Sequence, residues 1–275
     1  MTKNSSYTGK LALVIGGSEG IGKAIAADLY SMGCNTIIAS RSEEKLKSAG
    51  DEISRNSSPA SKPQLIISQM DVTDFESTNS KINALVEKHG VPDYVFLCAG
   101  FAHPGYIDQL PVEKFHQMMD VNYFGVVHAT KALAPHMMKR RSGHIVNCSS
   151  IAGFIGLFGY TGYCASKFAV LGFSEALRRE LEPYNVKVSV LCPPNTRTPG
   201  LEAENKVKPL EVLRTEEKVT VVDPEFVASY VLRETPKNRF LIIPTMDGKL
   251  AHYLSRFAPT VLSRFVKRPK SAELM

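Results

Sequence analysis

Tyr163 and Lys167 stand four residues apart in Tyr163-Cys-Ala-Ser-Lys167, a spacing that puts a phenol and an ammonium on one face of a helix. A free tyrosine titrates near pH 10 and is a poor base at neutrality. An ammonium held beside it lowers that value by roughly 2–3 units, about 3–4 kcal/mol, towards a working pH. Acid–base chemistry on a substrate oxygen also needs a hydroxyl to hold that oxygen. Ser150 supplies one at the end of a predicted strand, 13 residues before Tyr163, with the neighbouring Ser149 as the alternative. Tyr160 is not the acid–base group, because Cys164 occupies its i+4 position. The Tyr-x-x-x-Lys tetrad is common by chance, so its weight depends on what surrounds it.

The surroundings are those of an α/β chain. Leu11–Ile15, Thr36–Ser40, Leu65–Met70, Tyr94–Leu97, His144–Cys148, Lys187–Leu191 and Phe240–Ile243 read as seven strands, separated by longer stretches of helical period. Between the first two strands, Ile21, Ile25, Leu29 and Met32 mark one buried helix face, closed by Gly33. Such alternation predicts right-handed crossovers and a parallel, doubly wound sheet of Rossmann type covered on both faces. One domain is expected over residues 1–248. Asn56–Pro63 reads as a surface loop, and the polar stretch around residues 195–220, most clearly Leu201–Thr220, reads as a mobile substrate flap.

The first strand runs into Gly16-Gly17-Ser18-Glu19-Gly20-Ile21-Gly22 at the start of a helix. Glycines there allow a tight turn and bring backbone N–H groups to a pyrophosphate at the helix N-terminus. The second strand ends Ala39-Ser40-Arg41, with no carboxylate for an adenosine ribose hydroxyl. Arg41, with Lys45, suits a 2′-phosphate instead, so the expected cofactor is NADP(H). Asp71-Val72, after the third strand, suits the adenine edge, with a helix N-cap as the alternative for Asp71.

These residues resemble the short-chain dehydrogenase/reductase family over residues 8–245. The family's glycine motif matches Gly16, Gly20 and Gly22, with Ile15 where threonine is usual. Its Asn-Ala-Gly motif is Cys98-Ala99-Gly100 here, which removes one bracing hydrogen bond. The family's catalytic asparagine matches Asn122, and Ser150, Tyr163 and Lys167 complete its tetrad. The resemblance implies hydride transfer in which Tyr163 protonates the carbonyl oxygen and Ser150 hydrogen-bonds it. It further implies that Lys167 lowers the tyrosine pKa and binds the nicotinamide ribose, while Asn122 positions a relay water. The cofactor contacts it implies extend over Gly16, Ser18, Gly20, Ile21 and Gly22, then Arg41, Lys45, Asp71, Val72, Ala99 and Gly100. Tyr163, Lys167, Pro193, Thr196 and Thr198 complete them.

After the sixth strand stands Pro193-Pro194-Asn195-Thr196-Arg197-Thr198-Pro199-Gly200, followed by Glu204-Asn205 and Lys208-Pro209-Leu210-Glu211. That run, with Gly156-Leu157-Phe158-Gly159-Tyr160-Thr161, is similar to the 3-ketosphinganine reductases within the family, although Asn195 replaces an acid. The resemblance implies NADPH-dependent reduction of a 3-keto long-chain base. The alternatives are another apolar ketone or alcohol, such as a steroid, retinoid or fatty-acyl chain, and a non-catalytic NADP(H)-binding protein.

Composition narrows the setting. No run of 18 apolar residues is present, and the start of the chain does not read as a signal peptide. The five cysteines show no C-x-x-C spacing and read as reduced small core residues of a cytoplasmic protein. The histidines, among them His103, His116 and His128, form no metal-ligand cluster, and no metal is expected. Of the net charge of +6, the excess sits in a tail over residues 249–275. There Lys249, Arg256, Arg264, Lys267, Arg268 and Lys270 alternate with Leu250, Tyr253, Phe257, Val261 and Phe265. That pattern suits peripheral contact with an anionic membrane or packing on the core or a partner subunit, with Pro259 breaking or kinking the helix. Nucleic acid is not an expected partner; a lipid-like substrate and a homo-oligomer are.

Overall fold

A computed structural model describes residues 6–57, 59, 61–216 and 219–265. Seven strands form one all-parallel sheet: β1 (Leu11–Ile15), β2 (Asn35–Ser40), β3 (Leu65–Gln69), β4 (Tyr94–Leu97), β5 (Gly143–Cys148), β6 (Val186–Leu191) and β7 (Leu241–Ile242). Their spatial order is β3-β2-β1-β4-β5-β6-β7. The chain therefore reverses direction of travel between β1 and β4, where the register pairs Ala12 with Tyr94 and Ile15 with Leu97. The carboxyl ends on either side of that reversal open a crevice.

Successive side chains of β1 belong to opposite faces, with Ala12 and Val14 in one core and Leu13 and Ile15 in the other. Each fully buried Leu, Ile or Phe contributes roughly 1.5–3 kcal/mol. Helix α1 (Gly20–Ser31) lays Ile25 and Leu29 into the first core, and Gly33, at φ +81°, turns the chain out of it. Helix α2 (Glu43–Asn56) is capped by Ser42, whose hydroxyl accepts from Lys45 N; α3 (Phe75–His89) is capped by Asp74.

Helix α4 (Val112–Met119) passes through one π turn (Asp120–Phe124) into α5 (Gly125–Arg140) without leaving the helical path. The long α6 (Thr161–Leu181) follows, and α9 (Pro224–Glu234) packs on α1.

One region departs from expectation, and the tail breaks at its proline as the sequence predicts. The stretch read as a mobile flap holds two short helices, α7 (Pro199–Asn205) and α8 (Leu210–Glu216). Their excursion is tied at its base by a bridge between Thr196 and Val222. Its apolar anchor is Val212, wholly buried against Gly159, where any Cβ would lie 2.4 Å from the valine. The tail forms α10 (Met246–Phe257) and α11 (Pro259–Phe265), broken at Ala258 ahead of the proline. It packs on the core through Ala251 and Leu262, and His252 meets Phe154 edge-on with ring centres 4.9 Å apart. Yet Met246, Leu250, Tyr253 and Phe257 stay 59–76% exposed. Lys267, Arg268 and Lys270 lie outside the described residues. Among the described residues no helix is long and apolar enough to cross a membrane.

Candidate active site

A cavity of about 410 Å³ opens at the carboxyl ends of the strands. At one end its wall is main chain. Gly16 sits at φ +85°, and a Cβ there would lie 2.6 Å from Ala99 N. A Cβ on Gly22 would lie 2.1 Å from Gly16 O. Only glycine permits this closeness, which leaves the backbone around the start of α1 bare to a ligand.

Arg41 and Lys45 lie on the same wall. Lys45 Nζ is already paired with Glu19 at 2.9 Å, whereas the exposed Arg41 guanidinium has no ion pair among the described residues. Asp71 is not the N-cap of α3. Its Oδ1 accepts from Thr73 N and Thr73 Oγ1, and its carbonyl accepts from Thr78 Oγ1. Asp71 and Val72 nonetheless face the cavity, as do Ser18, Ile21, Ala99, Gly100, Pro193, Thr196 and Thr198. A cradle that a Cβ would fill, beside a free guanidinium, fits a phosphate-bearing dinucleotide.

Further in stand Ser150, Tyr163 and Lys167. Ser150 follows β5, and its hydroxyl accepts from Ala152 N at 3.1 Å, which fixes the side chain at the head of a short 3₁₀ turn. Ser149 commits its hydroxyl to Lys167 O at 2.8 Å. Burial pushes the Tyr163 phenol above its ordinary value; the hydrogen bond to Ser150 works the other way, and the nearby Glu204 carboxylate reinforces the rise. Lys167 Nζ donates to Cys148 O at 3.0 Å and lies 5.7 Å from the Tyr163 ring centre, with no hydrogen bond to the phenol among the described residues. Burial lowers the lysine itself, and the Cys148 and Cys98 thiols partly restore it. The sequence expectation of a tyrosine pulled down by its lysine is therefore not what the protein alone presents. Tyr163 is held as an acid.

Asn122 differs too. It is fully buried in the π turn and off the cavity wall. Its Oδ1 accepts from Phe101 N at 2.9 Å, and its Nδ2 donates to Phe101 O and Ser166 Oγ, each at 2.9 Å. The amide braces the strand-end loop against α6. Cys98, in place of the family's asparagine, lies beside Cys148, and it and the Lys167 ammonium hold that thiol below its ordinary value.

Sequence reasoning placed most of the opposite wall in the substrate flap but gave its individual side chains no role. Tyr160 sends its hydroxyl to Glu204 at 2.6 Å and Glu216 at 2.8 Å. Lys208 Nζ meets the same two carboxylates at 3.0 and 2.6 Å, with its side chain 1% exposed. The Tyr106 hydroxyl donates to Glu211. Ala102, Leu157, Phe158 and Val212 supply an apolar surface beside Tyr163. Tyr160, Glu204, Lys208 and Glu211 stood only within the runs that resemble the reductases, and the i, i+4 spacing of Glu204 and Lys208 is the one signal that could have paired them.

Comparisons with known proteins give the family. The short chain dehydrogenase family model matches residues 10–208. The chain is 40% identical over 253 residues to 3-ketodihydrosphingosine reductase of Mus musculus, covering 92% of this chain and 76% of the relative. It is 41% identical over the same span to 3-dehydrosphinganine reductase of Danio rerio. Dehydrogenase/reductase SDR family member 7B of Xenopus tropicalis is 34% identical, with 93% and 84% covered. In fold, a short-chain dehydrogenase/reductase from Burkholderia phymatum, solved with NAD, superposes with a TM-score of 0.82 over 96% of this chain and 99% of its own, at 24% identity. A cradle for a dinucleotide, a buried phenol beside a serine, and a family model that spans both make this chain a member of the short-chain dehydrogenase family, a nicotinamide-dependent oxidoreductase acting on CH–OH and C=O groups.

Proposed function

We propose that the chain reduces the 3-keto group of a long-chain base with NADPH, converting 3-ketosphinganine to sphinganine. The observation that carries this reading is the 37–41% identity, over nine-tenths of the chain, to reductases named for that substrate. The apolar wall beside Tyr163 is consistent with it, since an alkyl chain gains roughly 0.8 kcal/mol per buried CH₂.

The residues divide the work as follows. Bound NADPH supplies the hydride. Ser150 donates a hydrogen bond to the carbonyl oxygen, which gains negative charge as the carbon is reduced. Tyr163, kept protonated by burial, passes its proton to that oxygen. Lys167 places a positive charge beneath the tyrosine, favouring the phenolate left behind. Asn122 is a positioning residue that fixes Phe101 and Ser166, while Arg41 takes the 2′-phosphate that selects NADP(H) over NAD(H). Assay of NADPH oxidation with 3-ketosphinganine, a ketosteroid and an acyl-chain ketone tests this. We expect 3-ketosphinganine to lead by at least tenfold in kcat/KM; a lead for the steroid would overturn the reading.

The tail supports substrate delivery at a lipid surface. Met246, Leu250, Tyr253 and Phe257 recur at helical spacing, all exposed, with the basic Lys249 and Arg256 on the same helix. Leu250→Ser with Phe257→Ser should weaken binding to anionic vesicles several-fold and leave turnover of a dispersed short ketone within twofold. Unchanged vesicle binding together with a lost oligomer would assign the stripe to a second copy instead.

A further inference from the structure

We propose that Glu204 and Glu216 are the specificity determinants for a cationic group on the substrate, the 2-ammonium next to the reacting carbonyl of a 3-keto long-chain base; the proposal rests on the substrate reading above.

The two carboxylates share Lys208 and Tyr160 as partners, so among the described residues two formal negative charges face one positive charge. The Tyr160 hydroxyl lies within hydrogen-bond distance of both but has one proton to give. Lys208 and Tyr160 both reach Glu204 through Oε1, and Oε2 has no hydrogen-bond partner among the described residues. A buried lysine needs one carboxylate for neutrality. A second, only 15–18% exposed beside it, is costly unless a further cation joins.

The cluster is also placed where a substrate would meet it. Glu204, Glu216 and Tyr160 line the same cavity as Ser150 and Tyr163, and the rings of Tyr160 and Tyr163 lie 6.1 Å apart. In 3-ketosphinganine the amine is on the carbon adjacent to the ketone, so an oxygen held at Tyr163 leaves the ammonium close by. Two carboxylates would then face two ammoniums. A steroid or plain acyl ketone brings no cation and leaves the excess charge uncompensated, which is how a site rejects the wrong substrate. Glu204 also favours the protonated form of Tyr163, so the same charge that would receive the amine helps keep the acid ready.

The competing role is purely structural, with the cluster only fastening α7 and α8 over the site. Purified full-length protein, assayed with NADPH, separates the two. The probes are 3-ketosphinganine and its des-amino analogue 1-hydroxyoctadecan-3-one, identical in chain and ketone. The wild-type protein should prefer the amino ketone on the order of 100-fold in kcat/KM. Glu204→Gln should cut kcat/KM for the amino ketone on the order of 10- to 30-fold, mainly through KM, and for the analogue less than threefold. A wild-type preference below threefold overturns the proposal without any variant, as does an equal loss on both ketones in Glu204→Gln. If the wild-type protein turns over the des-amino ketone but not the amino ketone, or neither of them, the substrate reading falls and takes this proposal with it.

Discussion

At the cofactor end of the cleft, contact is made by backbone that glycines leave bare: Gly16 against Ala99, Gly22 against Gly16, all within the first strand–helix turn and the strand beside it. At the substrate end it is made by side chains from three separate segments, Tyr160 before α6, Glu204 and Lys208 on and after α7, and Glu216 at the end of α8. The first construction tolerates any dinucleotide whose phosphates reach the turn. The second discriminates, because charges and hydroxyls in a half-dry pocket must each find a partner. Shared chemistry is thus held by main chain and selectivity by side chains, with Tyr163 where the two meet.

Replacement of Tyr163 by Phe should separate the ends most sharply. Turnover should fall by on the order of 10²- to 10⁴-fold, while NADPH affinity, read by fluorescence titration, stays within twofold. A tenth of wild-type activity remaining would mean another group supplies the proton. Arg41→Ala should lower kcat/KM for NADPH on the order of 10- to 100-fold, about 1.5–3 kcal/mol, and leave NADH nearly unchanged. Equal losses would make Arg41 a bystander and weaken the view that the cofactor end distinguishes only at its rim.

Gly22→Ala should cost about 1–3 kcal/mol of stability, since its methyl would collide with Gly16 O at 2.1 Å. The accompanying loss should fall on cofactor affinity and spare the choice between ketones. Lys208→Met should cost a similar or smaller amount, roughly 1–2 kcal/mol after allowing for the partial exposure of its partners. Its signature is local: faster proteolysis within residues 199–216 with NADPH binding retained. The smallest effect concerns pH. Because burial raises the Tyr163 phenol, reduction should be flat through neutrality and decline only above the ordinary tyrosine value of about 10. Glu204→Gln removes one cause of that rise, so the decline should begin at lower pH.

The strands were legible because a parallel strand covered on both faces is simply an apolar run, and all seven were found to within a residue at each end. The glycine turn and the Tyr163/Lys167 pair were legible because their chemistry is local in sequence. The carboxylate–lysine cluster was not, since Tyr160 and Glu216 meet across 56 residues with no shared period. Asn122 was placed by motif, but its amide is saturated by Phe101 and Ser166, partners that only packing brings near. The tail was ambiguous for a different reason. Ala251 and Leu262 face inward while Leu250 and Phe257 face out, so apolar residues on both sides hide which is buried.

The order of the sheet also sets a timetable for synthesis. β1 emerges first, yet its second neighbour is β4, and the Leu11 N–Asp93 bond that seats them spans 82 residues. At roughly 5–20 residues per second, a ribosome needs on the order of 4–16 s to deliver that partner. Through that interval Leu11-Ala-Leu-Val-Ile15 has one open edge, the kind of apolar strand that pairs with the wrong chain. The crevice that later holds the cofactor is, during translation, the seam left open longest beside β1.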